Sequence, residues 1–472
     1  MKTPTTAWVA FALAAPLCAT AQTAAAPDSA ARIQELRQEI DALRAAYEAR
    51  LLALEARLLA AEQQTAAAAP QAPGLPATPA SEAASLASMA ATPAANSGAN
   101  AFNPALSLIL SGLYAASSRD PASYHLPGFQ LPAGAGIGPG SRGLSLAESE
   151  LGLSASIDPW WRGAAHIALH PDNSVSVEEA FVQTSSLGEG LTLKGGRFYS
   201  GVGYLNSQHA HRWDFVDNPL AYQAFLGTQY GDDGVQLRWL APTEQFLQLG
   251  AELGRGRSFP GSDRSRNGAG MSALTAHTGG DLGDSHNWRA GLSVLNASAT
   301  EQELSLSNPL ATLADARFTG STRVWVLDGV WKWAPNGNAA RTHFKLQGEY
   351  LRSTRSGELS YDPGGTNSTD RMRGAQSGWY LQGVYQFMPR WRLGLRTEAL
   401  NAGAPDYGIN APLLAGAGHQ PSKRSLMLDY SPSEFSRLRL QLAQDRARAG
   451  AADRQLFLQY QMSLGAHGAH GY

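Results

Sequence analysis

Segments in which apolar and polar residues alternate fill the chain from about residue 105 onward. Between Leu456 and Leu464, Leu, Tyr and Met occupy the even positions, and Gln and Ser occupy most of the odd ones. A period of two places the two sets on opposite faces of a β-strand. The pattern therefore predicts an all-β fold built of amphipathic strands, which by alternation alone could equally form a soluble sandwich.

Aromatic residues bracket the short turns between these segments. The bracketing pairs are Trp239 and Phe246, Trp333 and Phe344, Phe387 and Trp391, and Tyr430 and Phe435. Rings that recur at one level of successive strands form the aromatic girdle of a transmembrane β-barrel, whereas chance surface aromatics on a soluble sheet would not recur in this way. We therefore predict a 16-stranded antiparallel barrel in the cell outer membrane. The strands are joined by alternating short turns and long loops, and the long loops are expected at roughly residues 118–143, 199–230, 257–269, 298–320, 355–375 and 402–421. An even number of strands places both ends of the barrel on the periplasmic side.

The first 21 residues have the composition of a signal peptide. Lys2 is followed by an apolar stretch from Ala7 to Ala19 and by an A-x-A sequence ending at Ala21. The single cysteine of the chain, Cys18, lies inside this segment. The mature chain is therefore expected to contain no disulfide and no cysteine-bound metal. A net charge of −2 gives no reason to expect nucleic acid as a partner.

Residues 22–64 change to a helical period. Leu36, Leu43 and Leu54 belong to an apolar stripe with Glu and Arg between its members, which predicts a short periplasmic coiled coil. A solvated single helix is the alternative. Residues 65–101 are rich in Ala and Pro and are expected to form a linker. Residues 102–472 form the predicted barrel.

The strand Val177–Gln183, the segment Leu191–Phe198 and the glycines at Gly201 and Gly203 resemble the phosphate-selective porin O and P family. This resemblance implies a 16-stranded barrel, a leading coiled coil and a homotrimer embedded in outer-membrane lipid. The sequence from Gly203 to Asp214 departs from the family and is more similar to a branch sometimes labelled zinc-regulated TonB-dependent outer membrane receptors. The substrate of the family is therefore not transferred to this chain.

His209 and His211 lie two residues apart in the loop after the fifth predicted strand. In an extended segment both side chains would share one side and could bind a metal such as zinc, with Asp214 or Asp217 as a carboxylate partner. The alternative is that they are loop residues hydrogen-bonded to the barrel wall. No other cofactor is expected. Glu148 and Glu150 share one face of the second predicted strand, but no catalytic residues are predicted and the protein is not expected to be an enzyme.

Seven basic residues in the polar register lie close to the predicted periplasmic turns. They are Arg162, Arg238, Arg289, Lys332, Lys345, Arg392 and Arg437. Acidic residues of the same register lie further from these turns, although Asp429 breaks the pattern. A basic inner mouth would concentrate anions.

The sequence therefore predicts a porin that allows passive diffusion of small hydrophilic solutes or ions and favours anions. One alternative is an uptake channel specific for a substrate or for a metal such as zinc. Another is an occluded barrel that tethers the outer membrane to the periplasm.

Overall fold

In a computed structural model of the chain, residues 104–132, 134–185, 187–307, 313–414 and 418–465 are described. Sixteen strands form the barrel, the second of them in two segments. Their bounds are β1 Ala105–Ser117, β2 Gly143–Leu146 and Ser149–Ser156, β3 Trp161–Leu169, β4 Val175–Thr184, β5 Leu191–Tyr199, β6 Gly231–Leu240, β7 Phe246–Gly254, β8 Met271–Leu282, β9 His286–Ser307, β10 Leu313–Trp333, β11 His343–Tyr361, β12 Ser368–Met388, β13 Trp391–Asn401, β14 Ser422–Ser433, β15 Ser436–Asp445 and β16 Asp453–Gly465.

Every strand pairs antiparallel with its neighbours, and the last strand closes the sheet on the first. In β1 and β16 the register runs from Ser107 opposite Gly465 to Ser117 opposite Gln455. The prediction of a closed 16-stranded antiparallel barrel is confirmed. The predicted signal peptide, coiled coil and linker lie outside the described residues, and these domain boundaries remain predictions.

Neighbouring residues of a strand face lipid and lumen in turn. In β13, Leu395 is 62% exposed, whereas the adjacent Arg396 is 3% exposed. The exposed leucines Leu327, Leu381, Leu426 and Leu458 continue this apolar outer surface on other strands. Because closure leaves no unpaired strand edge, such a barrel is compatible with a lipid bilayer. The protein is located in the cell outer membrane.

The hairpins β9–β10 and β11–β12 are longer than the sequence indicates. Residues 298–320 and 355–375 were expected to be loops, but β9 continues to Ser307 and β11 to Tyr361. The backbone pairing of these hairpins therefore continues beyond the part of the barrel that carries the apolar outer surface. In this outer part, apolar and polar residues alternate less regularly. The prediction was wrong here because backbone pairing does not need the lipid-facing pattern.

The segment between β5 and β6, residues 200–230, folds into the barrel. Its ends are adjacent, since the Ser200 amide donates to the Tyr230 carbonyl at 3.0 Å. It contains helix α1, Leu220–Leu226, whose residues are all buried. We call residues 200–230 the inner loop. Among the residues that the structure describes, no helix is long and apolar enough to cross a membrane.

Candidate functional site: the inner loop

Helix α1 fixes the inner loop through an apolar contact with the barrel wall. It packs against β11, β12 and β13. Leu220, Phe225 and Leu226 of the helix belong to the same buried cluster as Leu351 and Leu400 of these strands. Burying a Leu or Phe side chain stabilises a fold by about 1.5–3 kcal/mol. The inner loop is therefore packed as a core element of the barrel interior.

Gly203 allows the start of the inner loop to approach the wall closely. Its φ is +68°, and a Cβ at this position would lie 2.4 Å from Glu349 Oε2 and 3.0 Å from the Tyr222 hydroxyl. The same Glu349 accepts hydrogen bonds from the Leu205 amide at 2.9 Å and from the Tyr222 hydroxyl at 2.8 Å. Any larger residue at Gly203 would break this contact.

Asp214 attaches the middle of the inner loop to two strands. Its carboxylate lies 2.5 Å from Lys345 Nζ in β11 and 3.3 Å from Arg392 Nη1 in β13. Burial alone would raise the pKa of Asp214, but Lys345 and Arg392 outweigh it and hold the pKa well below its usual range. Asp214 is therefore ionised at neutral pH and serves as an anchor.

Asp217, three residues further along, makes a second ionic anchor. Arg396 of β13 donates to its carboxylate at 2.8 Å, and Lys423 of β14 donates to the other carboxylate oxygen. The side chains of Arg396 and Lys423 are each 1% exposed. Burial would raise the pKa of Asp217, but Lys423 and Arg396 hold it well below its usual range.

His209 contacts the other side of the lumen, on β2 and β4. Its Nδ1 atom lies 3.1 Å from Glu150 Oε2 and 3.0 Å from Glu178 Oε2, and its Nε2 atom lies 2.9 Å from Glu179 Oε2. His166 Nδ1, on β3, lies 2.6 Å from Glu150 Oε1. We call these five residues the His–Glu cluster.

His211 lies at the edge of the His–Glu cluster. Its Nδ1 atom is 3.2 Å from Glu150 Oε2, and its ring stacks on that of His209 with 5.7 Å between centroids. The backbone here forms a 3₁₀ turn, Ala210–Arg212, rather than the extended segment that the sequence suggested. Both histidines nevertheless face Glu150.

A β-bulge turns two consecutive glutamates toward the lumen. His166 pairs with Glu179, and the next residue, Ile167, pairs with Val177, so that Glu178 is the extra residue. Without a bulge, adjacent strand residues point to opposite faces, and one of the two glutamates would face lipid. The irregular pairing therefore assembles the acidic side of the cluster.

The carboxylates around His209 control its protonation. Burial alone would lower its pKa, but Glu150, Glu178 and Glu179 outweigh burial and hold the pKa well above its ordinary value. The His209 ring is therefore a cation at neutral pH that donates from both nitrogens.

The expectation that Asp214 or Asp217 would join the histidines is wrong. Both carboxylates are taken by the cations of β11, β13 and β14. The acidic neighbours of His209 are instead Glu150, Glu178 and Glu179. Glu150 was noted in the sequence for its spacing from Glu148, and its actual partners are the imidazoles of His166, His209 and His211.

The seven basic residues expected to line the pore all lie in the polar register of their strands, where they differ in surroundings. Lys345 and Arg392 bind Asp214, and Arg392 also lies 2.5 Å from Asp429. Arg437 donates to the His211 carbonyl at 3.0 Å. Arg289 lies over the Tyr204 ring at 5.4 Å, and Lys332 is 5% exposed. Arg162 and Arg238 lie close enough to repel each other.

Several residues of the site were missed in the sequence. His166, Glu178 and Glu179 come together with His209 only through barrel closure and the bulge. The sequence did contain one signal for these glutamates. In a regular strand one of two adjacent residues faces lipid, and burying a charged glutamate in lipid costs free energy, so the Glu178–Glu179 pair indicates an irregular strand. Arg396 and Lys423 carry no local signal that would single them out from other lumen cations.

A curated relative decides the family. An uncharacterized protein of Aquifex aeolicus is 32% identical over 348 residues, which cover 70% of each chain. The chain belongs to the family of that protein. No protein-family model matches the chain, so its resemblance to phosphate-selective porins O and P remains a hypothesis.

Solved outer-membrane proteins have lower similarity. A loop-deleted OmpT of Vibrio cholerae has a TM-score of 0.48 at 10% identity, covering 77% of this chain and 100% of that chain. The channel DcaP of Acinetobacter baumannii has a TM-score of 0.44 at 14% identity, covering 78% and 99%. An anion-selective porin from Comamonas acidovorans has a TM-score of 0.45 at 11% identity, covering 77% and 99%.

Proposed function

We propose that the protein is a passive diffusion channel for small hydrophilic solutes. The observation that supports this best is the inner loop, which enters a closed 16-stranded barrel and is anchored to strands on both sides of the lumen. Barrels of this size enclose an aqueous channel, and a loop attached to the wall narrows such a channel without forming a separate plug domain. The function proposed is therefore transport and not catalysis, and the assembly proposed is a homotrimer.

Conductance tests the channel directly. The purified full-length chain, inserted into planar bilayers, should produce discrete current steps in 1 M KCl. Liposomes containing it should also swell in solutions of small sugars. A correctly folded protein, judged by its heat-dependent mobility on gels, that gives neither current nor swelling would support the tethering role instead.

We propose further that the channel favours anions. The seven basic residues of the polar register lie near the short turns, and Arg162 of β3 and Arg238 of β6 are close enough to repel each other. Lys345 and Arg392 contribute less to the positive potential than their number suggests, because the carboxylates of Asp214 and Asp429 offset their charge.

Changing Arg238 and Arg289 together to Glu should move the reversal potential toward cation selectivity. The shift should be large in 0.01 M salt, where the Debye length is about 30 Å, and small in 1 M salt, where it is about 3 Å. The matched control is Lys345→Glu with Asp214→Lys, which exchanges an ion pair without changing net charge. An unchanged reversal potential in the double Glu variant at low salt would contradict the anion preference.

Uptake of a metal ion is a second candidate function. It is favoured by one observation, the acidic His–Glu cluster on the segment that narrows the lumen. If metal is the cargo, cells expressing the protein should accumulate zinc faster than cells expressing His209→Gln. Equal accumulation would exclude the cluster from metal transport.

A further inference from the structure

We propose that Glu150, His166 and His209 bind a divalent transition-metal ion of the zinc class, and that this ion joins the inner loop to the barrel wall. The proposal rests on the proposed diffusion channel, whose inner loop the ion would fix. The ion is a resident one that stays bound, and this distinguishes it from the transported cargo of the second candidate function.

The donor atoms of these three residues already converge. One nitrogen or oxygen from each residue lies within 4.8 Å of the others. The His166 and His209 rings are 4.5 Å apart between centroids. Zinc bonds to imidazole nitrogen and carboxylate oxygen are about 2.0–2.2 Å long. Donors around one ion therefore lie only a few ångströms apart, so small side-chain rotations would suffice to accommodate it.

Glu150 supplies a buried carboxylate oxygen that could coordinate a cation. The residue is 4% exposed, and its Oε2 atom makes no hydrogen bond to any of the residues that the structure describes. The Nδ1 atoms of His209 and His211 lie 3.1 and 3.2 Å from this oxygen, at ion-pair distance but outside the geometry of a good hydrogen bond. Burying a carboxylate costs free energy, and a metal ion held between this oxygen and the imidazoles would offset that cost.

The balance of charge also favours a cation. The carboxylates of Glu150, Glu178 and Glu179 all lie within 3.1 Å of a His209 nitrogen. A metal ion bound by His209 would replace a ring proton, because only a deprotonated ring nitrogen is a ligand, and the three carboxylates would offset the charge of the ion. The bulge in β4 makes this arrangement possible by turning both Glu178 and Glu179 inward. Either carboxylate is placed to provide a further ligand, because both lie within 3.0 Å of His209.

The types of donor indicate the class of metal. Calcium and magnesium prefer oxygen ligands alone, whereas imidazole together with carboxylate suits zinc and its neighbours in the transition series. Two histidines and at least one glutamate therefore select against the hard cations that are abundant outside cells.

The topology gives such an ion a mechanical role. Glu150 and His166 lie on β2 and β3, while His209 lies on the inner loop. The opposite part of the loop is already held by Asp214 and Asp217. A metal ion at the His–Glu cluster would therefore strengthen the attachment of the His209 side of the loop to the wall and hold the width of the passage.

Zinc titration of the full-length protein in detergent tests the site. The parent should bind about one zinc ion per chain, and His166→Gln, His209→Gln and Glu150→Gln should each weaken binding at least about tenfold. His170→Gln is the matched control, because His170 lies just beyond β3 and contacts Ser176 Oγ at 2.7 Å, outside the cluster. Heat-dependent gel mobility verifies that each variant is folded. No binding by the parent, or equal binding by all variants, would overturn the proposal.

A spin label tests the mechanical role. Ser207 is exposed on the inner loop, and Ser207→Cys combined with Cys18→Ser provides one labelling site. Zinc should reduce the mobility of the label and EDTA should restore it, but neither should act in the His209→Gln background. Bound zinc without a change in mobility would overturn the joining role.

Zinc binding and conductance, measured on the same protein preparation, test the metal site and the diffusion channel separately. Zinc binding without conductance would contradict the diffusion channel and leave the site intact. Conductance without zinc binding would support the diffusion channel and contradict the metal site. Zinc crossing liposome membranes equally fast through the parent and His209→Gln would agree with a resident ion, whereas loss of zinc flux in His209→Gln would contradict it.

Discussion

Replacing residues 201–229 by a short Gly-Ser linker should increase single-channel conductance at least about twofold, because a 16-stranded barrel without an internal obstruction leaves a wide aqueous channel. The strands need not move to accept the linker, since Ser200 and Tyr230 are hydrogen-bonded neighbours. The deletion removes α1 together with Asp214, Asp217 and His209, and so removes every contact by which the loop crosses the lumen. Conductance should be measured in 1 M KCl, where charge effects are screened and pore width dominates.

The matched control is a linker of the same kind in place of residues 362–367, the connection between β11 and β12. This connection lies at the far end of a long hairpin, outside the barrel interior, and its replacement should leave conductance unchanged. Equal conductance of the inner-loop variant and the parent would contradict a limiting role for the inner loop. The narrowest point would then lie in the first long connection, residues 118–142, whose Leu126 and Phe129 are also buried.

Asp217→Asn should lower the free energy of unfolding by about 3 kcal/mol, because it removes one partner from a buried ionic cluster and leaves Arg396 and Lys423 undercompensated. Removing one partner of a buried ion pair usually costs about 3–5 kcal/mol, and we expect the loss of unfolding free energy at the lower end of this range because other carboxylates remain near both cations. Glu398 still lies 3.1 Å from Arg396, and Asp445 still lies 3.7 Å from Lys423. Denaturant unfolding of the barrel refolded in detergent provides the measurement.

Asp263→Asn is the matched control for Asp217→Asn. It makes the same chemical change in an ion pair with Arg255 whose side chains are 68% and 51% exposed. Exposed ion pairs contribute about 0–1 kcal/mol, so this substitution should have little effect. Equal losses for the two variants would show that the inner loop is not held by its buried ion pairs.

The Asp217 anchor also predicts how stability depends on pH. The folded pKa of Asp217 is held below its ordinary value, so the anchor contributes fully above the unfolded pKa of about 4. The contribution declines only as the pH falls below that value toward the folded pKa. The difference in stability between the parent and Asp217→Asn should therefore be constant from pH 5 to pH 7.

The strands of the barrel wall were predictable because the pattern that identifies each strand lies within that strand. Alternation in segments such as Leu456–Leu464 is set by the requirement that one face meets lipid, and it requires no knowledge of the neighbouring strand. Aromatic pairs such as Trp239 and Phe246 mark the turns for the same local reason. The lengths of β9–β12 were not predictable, because their outer parts lie beyond the part of the barrel that carries the apolar outer surface and follow only backbone pairing.

The contacts of the inner loop were less predictable from the sequence. The spacing of His209 and His211 pointed to the correct segment, but the chosen carboxylates, Asp214 and Asp217, belong to another part of the lumen. Loop residues have no fixed period, so their neighbours cannot be inferred from spacing. Asp429 illustrates the same point. It interrupts the basic region predicted from the sequence, and in the structure it forms ion pairs with both Arg392 and Arg439.

By itself the sequence determined the closed antiparallel barrel, its location in the outer membrane and the polar register of its lumen cations. These properties follow from a local pattern of two residues repeated along every strand. The tertiary structure alone decided which charges meet, because strand closure, the bulge at Glu178 and the course of the inner loop bring together residues from distant parts of the chain. The His–Glu cluster therefore exists only in the folded barrel, where burial and low solvent access give its contacts their strength.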